Sequence, residues 1–154
     1  MDAQPVLLDT IPALEAVVGR EVALSRWFTI DQARISAFAD VTDDHQWIHL
    51  DAERAMRESP YGGTVAHGFL TIALLPAMLA SAVSLGTARL TVNYGCNKVR
   101  FPAAVPAGSR IRGRFTLQAV EPLADCTQLV WLVTMENEAG GKPVCVAEFV
   151  MRRY

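Results

Sequence analysis

A stretch without charge dominates the middle of this chain of 154 residues. From His67 to Ala88 no side chain carries a formal charge at neutral pH, and Gly68 to Gly86 alone is long enough to cross a bilayer. Such a segment must be enclosed, by lipid or by protein. Lipid is the poorer enclosure. Pro76 sits in the middle, Thr71, Ser81, Ser84 and Thr87 interrupt the run, and neither flank carries the basic cluster that orients an inserted helix. The span is therefore expected to form one long helix, from about His67 to Leu85 with Gly86 as its stop, covered by protein on nearly every side.

The rest of the composition fits that enclosure. Apolar residues make up 51% of the chain and charged residues 19%, against the roughly 25% usual for soluble domains. This argues for a large core and against disorder, and low surface charge is also what a second subunit covering part of the surface would require. The length suits one domain over residues 1–154. A net charge of -2 gives no reason to expect nucleic acid or an anionic membrane as a partner. Cys96, Cys126 and Cys145 are odd in number and show no CxxC spacing, so neither a disulfide framework nor a zinc site is expected. No basic run followed by an apolar core opens the chain, and a reducing, cytoplasmic setting is expected.

Around the long helix the pattern changes twice. Thr10 and Pro12 open a short first helix that Gly19 ends, and alternation over residues 21–30 predicts a strand. Asp31 caps a helix with Ile35, Phe38 and Ala39 on its buried stripe, ending near Thr42. The segment DDHQWIHLD reads as irregular, Asp51 caps a brief helix over residues 52–58, and Pro60 and Gly62-Gly63 form a turn. Beyond the uncharged span, residues 88–94, 97–101, 110–120, 127–137 and 143–153 alternate as strands, with Gly95 read as a turn. An antiparallel meander curled around the long helix, an α+β fold, would cover both the sheet and the helix.

Two places can carry chemistry. Asp44 and His49 stand five residues apart with Trp47 and Ile48 between them. A carboxylate and an imidazole that converge can hold a water, take its proton and supply one elsewhere; the same spacing also suits a plain surface turn. His67-Gly68 heads the apolar helix, where free N–H groups and the absence of a side chain can receive a developing oxyanion. That glycine can equally serve only to relieve crowding, and His67 reads more readily as packed or hydrogen-bonded than as catalytic. Arg110, Arg112 and Arg114 alternate on one strand, as a phosphate site or as a solvated face. Asn93, Tyr94 and Asn97 flank the turn at Gly95 as polar wall residues. No Gly-rich phosphate loop, GxSxG elbow or metal-ligand helix occurs.

The ordered set TDDHQWIHLDAERA, then GGTVAHGF, then NYGCNKVRFPAAVPAGSRI resembles the MaoC-like (R)-specific enoyl-CoA hydratases, in particular the nodulation protein N-like branch. The resemblance runs from about Thr10 to the last strand. It implies a hot dog fold assembled as a homodimer and a reversible syn addition of water to trans-2-enoyl-CoA, giving (R)-3-hydroxyacyl-CoA, without a metal or other cofactor. By the same resemblance Asp44 and His49 are the catalytic pair and the Gly68 N–H is the oxyanion donor, with Trp47, His67, Asn93 and Tyr94 as substrate-binding residues. Three positions depart from the common pattern: Gln46-Trp47 replaces Asn-Pro, Asp43 stands where glycine is frequent, and Pro76 stands where some relatives place a serine. Two other functions share the ligand: a hot-dog acyl-CoA thioesterase, and a non-catalytic acyl-thioester-binding subunit. The Asp44–His49 spacing argues against the first, and the retention of both residues argues against the second.

Overall fold

The computed structural model describes residues 4–86 and 88–154, so Thr87 lies outside the described residues. A two-residue strand, β1 (Val6–Leu7), precedes α1 (Ile11–Glu15), whose first turn is capped by the Thr10 hydroxyl accepting from the Ala13 N–H at 3.3 Å. The strand expected over residues 21–30 is two strands, β2 (Glu21–Leu24) and β3 (Phe28–Ile30), both antiparallel to the same neighbour. Ser25 makes the break. Its hydroxyl accepts from the Gly113 N–H at 2.9 Å and donates to the Arg26 carbonyl at 2.7 Å, competing with the regular ladder.

Helix α2 (Gln32–Thr42) starts where Asp31 accepts from the Arg34 N–H at 2.8 Å, and Ile30 and Ile35 are both buried at its entrance. Of its expected stripe, Ile35 and Ala39 are buried and Phe38 is half-buried. The segment expected to be irregular contains one helical turn, α3 (Trp47–Leu50). Asp51 then caps α4 (Ala52–Glu58) by accepting from the Arg54 N–H at 2.9 Å.

The uncharged span is two helices rather than one: α5 (Gly68–Ala73) and α6 (Leu75–Ala82). Pro76 is the cause. It has no N–H for the Ile72 carbonyl, and its ring crowds that carbonyl, so the helix restarts at Leu74 with Pro76 in its first turn. The helix also stops before Leu85. Val83–Ser84 forms β4, which pairs parallel with β1 through Val6↔Val83 and Leu7↔Ser84. Among the described residues no helix is long and apolar enough to cross a membrane.

The main sheet contains β5 (Thr91–Arg100), β6 (Ser109–Pro122), β7 (Thr127–Asn137) and β8 (Cys145–Arg153), in the order β2-β6-β7-β8-β5 with β3 also on β6. Only β6-β7-β8 is a meander. Strand β5 crosses to the far side and pairs with β8, which corrects the simple meander expected from the sequence. Gly95 is not a turn: it lies inside continuous β5, where the register shifts between Asn93 and Gly95 and again between Cys96 and Lys98.

Helix α6 buries Leu75, Met78, Leu79 and Ala82 in a core shared with Phe115, Leu117, Trp131 and Val133 from the sheet. Gly113 permits this close packing. A Cβ there would come within 2.9 Å of the Phe115 ring and 3.5 Å of Met78 Sδ. The architecture is α+β, an antiparallel sheet packed against a central helical layer.

Candidate active site

The site is assembled where α2, α3 and α5 meet. Helix α2 ends at Asp43, whose φ of 57° is left-handed. A residue of this kind turns the chain sharply, and aspartate tolerates the conformation better than most L-residues. Glycine takes it freely, which explains why glycine suits this position in the pattern that the sequence resembles. The turn leaves Asp44 exposed at the mouth of the site.

His49 lies on α3, 7% exposed. Its Nδ1 is 2.6 Å from the Val65 carbonyl. A carbonyl only accepts, so Nδ1 carries the proton and donates, leaving Nε2 with a free lone pair. Burial lowers the His49 pKa from its ordinary 6.5 and neighbouring His67 adds to this, while the Val65 carbonyl and Asp44 oppose it. The net direction favours a neutral imidazole able to accept a proton. Helix α2 holds its backbone: Gln32 donates through Nε2 to the His49 carbonyl at 2.8 Å and accepts from the Thr64 hydroxyl at 2.6 Å.

His67 is 2% exposed, immediately before α5. Its Nε2 donates to the Asp44 carbonyl at 2.9 Å, and its ring stacks on that of His49 with centroids 3.8 Å apart and planes 27° apart. Ligating atoms of Asp44, His49 and His67 all lie within 4.8 Å of one another. The stacking disfavours a metal centre, because lone pairs in two stacked rings run side by side instead of meeting on one ion.

Gly68 opens α5, and a Cβ there would come within 2.8 Å of the Phe101 ring. The missing side chain is therefore required by packing, whatever the N–H does. Phe101 is part of the wall beside the helix head.

Two chambers flank the cluster. The larger, about 810 Å³, is lined by Asp44 together with apolar side chains including Phe38, Ile72, Pro76 and Phe149. The smaller, about 380 Å³, is lined by His49, Gly68 and Phe101 among others. Asp44 and His49 thus stand close together while looking into different chambers, and the wall between them is where a reacting group could meet both.

The remaining residues singled out from the sequence divide. Asn93 lines the larger chamber. Tyr94 is 59% exposed on β5 and carries the Arg152 guanidinium 3.5 Å over its ring. Trp47 lines neither chamber and packs under the Arg54 guanidinium at 4.3 Å. The arginine row is a solvated ion-pair face: Arg110 pairs with Glu138 at 2.8 Å, Arg112 with Glu136 at 2.5 Å and Arg114 with Glu21 at 2.8 Å. Cys96 lines the larger chamber, but burial raises its pKa, so it is a thiol rather than a ready nucleophile. Sequence reasoning missed Gln32, Thr64, Val65 and Phe101. No short spacing links them to the Asp44–His49 segment; only the folded contacts do.

Comparisons with known proteins converge on one family. Residues 13–136 match the MaoC like domain. The chain is 47% identical over 145 residues to 3-hydroxyacyl-thioester dehydratase Z of Mycobacterium tuberculosis, covering 94% of this chain and 95% of that protein. It is 44% identical over 139 residues to Nodulation protein N of Rhizobium meliloti, covering 89% and 86% respectively. The unliganded R-hydratase from Pseudomonas aeruginosa superposes with a TM-score of 0.72 at 25% identity, covering 88% of this chain and 81% of that one. The fold shared with that hydratase is the hot dog.

Proposed function

Since the chain belongs to the MaoC-like dehydratase family and is a hydro-lyase, we propose that it adds water reversibly to trans-2-enoyl-CoA, giving (R)-3-hydroxyacyl-CoA. The observation that carries this reading is the convergence of the Asp44 carboxylate and an imidazole nitrogen of His49 within 4.8 Å of each other, beside an apolar chamber.

Water is a weak nucleophile, so it must lose a proton as it attacks the β-carbon. His49 Nε2 is free to take that proton, and Asp44 orients the water. The α-carbon then needs a proton on the same face, which the pair returns, giving syn addition. Charge develops on the thioester oxygen, and the Gly68 N–H at the head of α5 is the donor aimed at it. The apolar lining of the larger chamber suits the acyl chain. Asn93 is a wall residue of that chamber. No cofactor enters this scheme.

The assembly is a homodimer in this reading, and the whole chain 1–154 is one hot dog domain. Among the described residues strand β5 pairs only with β8, and nearly all of its ten residues are exposed. Tyr94 and, beside the larger chamber, Phe69 are exposed as well. A long unpaired edge with apolar side chains is what a second subunit covers. A cytoplasmic location accords with three free cysteines.

The test is a spectrophotometric assay of a trans-2-enoyl-CoA, whose enoyl thioester band disappears on hydration. The wild type removes the band, and Asp44→Asn and His49→Ala each slow it about 10²-fold or more. Full activity in both variants would refute the site. Thiol release from a saturated acyl-CoA without hydration would mean a thioesterase, and ligand-dependent thermal stabilisation without turnover a binding subunit.

A further inference from the structure

His67 presents a puzzle that the proposed chemistry does not absorb. It is 2% exposed and lines neither chamber, so it is poorly placed to touch an acyl thioester. Its Nδ1 is buried without any hydrogen-bond partner among the described residues. A buried acceptor without a partner is unfavourable, and a phenylalanine of similar shape would avoid it. What the imidazole does offer is two contacts at once. Its Nε2–H holds the Asp44 carbonyl at 2.9 Å, and its face holds the His49 ring at a centroid distance of 3.8 Å. The first contact fixes one end of the ring: the carbonyl accepts, so Nε2 carries a proton. The His67 ring also meets Phe38 of α2, centroids 5.0 Å apart with planes 55° apart.

We infer that His67 is a positioning residue: it clamps the Asp44 turn to the head of α5 and fixes the plane of the His49 ring, without meeting substrate. The inference rests on the hydratase reading for its kinetic consequence, though not for its geometry. Three elements that approach one another only in the fold are joined through one side chain. The Asp44 turn follows α2, His49 rides on α3, and Gly68 is the residue next to His67 itself.

Two variants separate the two contacts. His67→Phe keeps a ring face and loses the N–H; His67→Gln keeps an N–H and loses the ring. Each is expected to lower kcat on the order of 10²-fold with little change in KM. A rise in KM with kcat intact would make His67 a substrate contact and overturn the inference, as would unchanged kcat and KM. Should a variant not fold, nitrogen NMR of the wild-type histidines decides. The expected tautomers are Nε2–H for His67 and Nδ1–H for His49, and an Nδ1–H tautomer at His67 overturns the clamp. That measurement needs no turnover, so an inactive wild type would sink the hydratase reading and leave the clamp to be judged on the tautomers.

Discussion

Asp43 and Asp44 differ by one position and do unrelated work. Asp43 takes the left-handed turn that ends α2, and Asp44 is delivered by that turn to the mouth of the larger chamber. The five-residue spacing of Asp44 and His49 was readable in the sequence because both sit on one short segment. The role of His67 was not, because its burial and its stack on His49 come from chain regions that meet only in the fold. The arginine row shows the same limit: alternation on a strand was legible, whereas the Glu21, Glu136 and Glu138 partners were not. Two outcomes belong at this scale. The histidine titrations should split, with His49 below the ordinary 6.5 because of burial and His45 above it because Asp40 accepts its hydrogen bond at 3.0 Å. Neutral His49 is then the working base, so activity should persist into more acid solution than an ordinary histidine allows, and fall only as pH drops through the lowered value. Proton NMR across a pH series reads both histidines. The second outcome concerns Gly68→Ala. Its new methyl group meets the Phe101 ring, so the variant should lose about 1–3 kcal/mol of stability and disturb the helix head, seen as a lower melting temperature together with a lower kcat.

Elements were most legible where alternation was long. Strand β7 runs from Thr127 to Asn137 as its pattern implied, because each second side chain is buried against the helical layer. The long helix was half legible. One face is buried in the core, but Phe69, Ala73, Ala77 and Ala80 are exposed along the other, so the chain alone does not cover the span on nearly every side. Pro76 also breaks the span into two helices, which a count of uncharged residues does not register. Gly95 is a bulge and not the turn its place suggests: a glycine within alternating residues can mark either, and the pairing of β5 with β8 across it decides for the bulge. The crossing of β5 to the far edge leaves no local trace, since register and strand order depend on partners distant in sequence. Gly113 supplies the check on how α6 meets the sheet. Gly113→Val must push Phe115 or Met78 aside, and is expected to cost about 1–3 kcal/mol, which for a chain of this size is a drop of roughly 2–4 °C in Tm per kcal/mol.

The whole molecule brings the uncharged span back into view. It is buried against the sheet on one face and exposed at Phe69, Ala73, Ala77 and Ala80 on another, and its head brings His67 and Gly68 beside Asp44 and His49. The open edge of β5 lies beside the larger chamber through Asn93, Gly95 and Cys96, so a partner paired there would border the site of each subunit. Sedimentation equilibrium should give twice the chain mass, and Val92→Lys on that edge should shift it toward the monomer; a wild-type monomer at all concentrations would remove the dimer from the account. The central claim is that Asp44 and His49 deliver water and a proton to one face of an enoyl thioester. The most direct measurement is hydration of trans-2-enoyl-CoA in deuterated water, with the product's configuration and deuterium position determined. The account predicts an (R)-3-hydroxyacyl product with deuterium at the α-carbon on the same face as the new hydroxyl. An (S) product, an anti arrangement, or an enoyl thioester left untouched would contradict it.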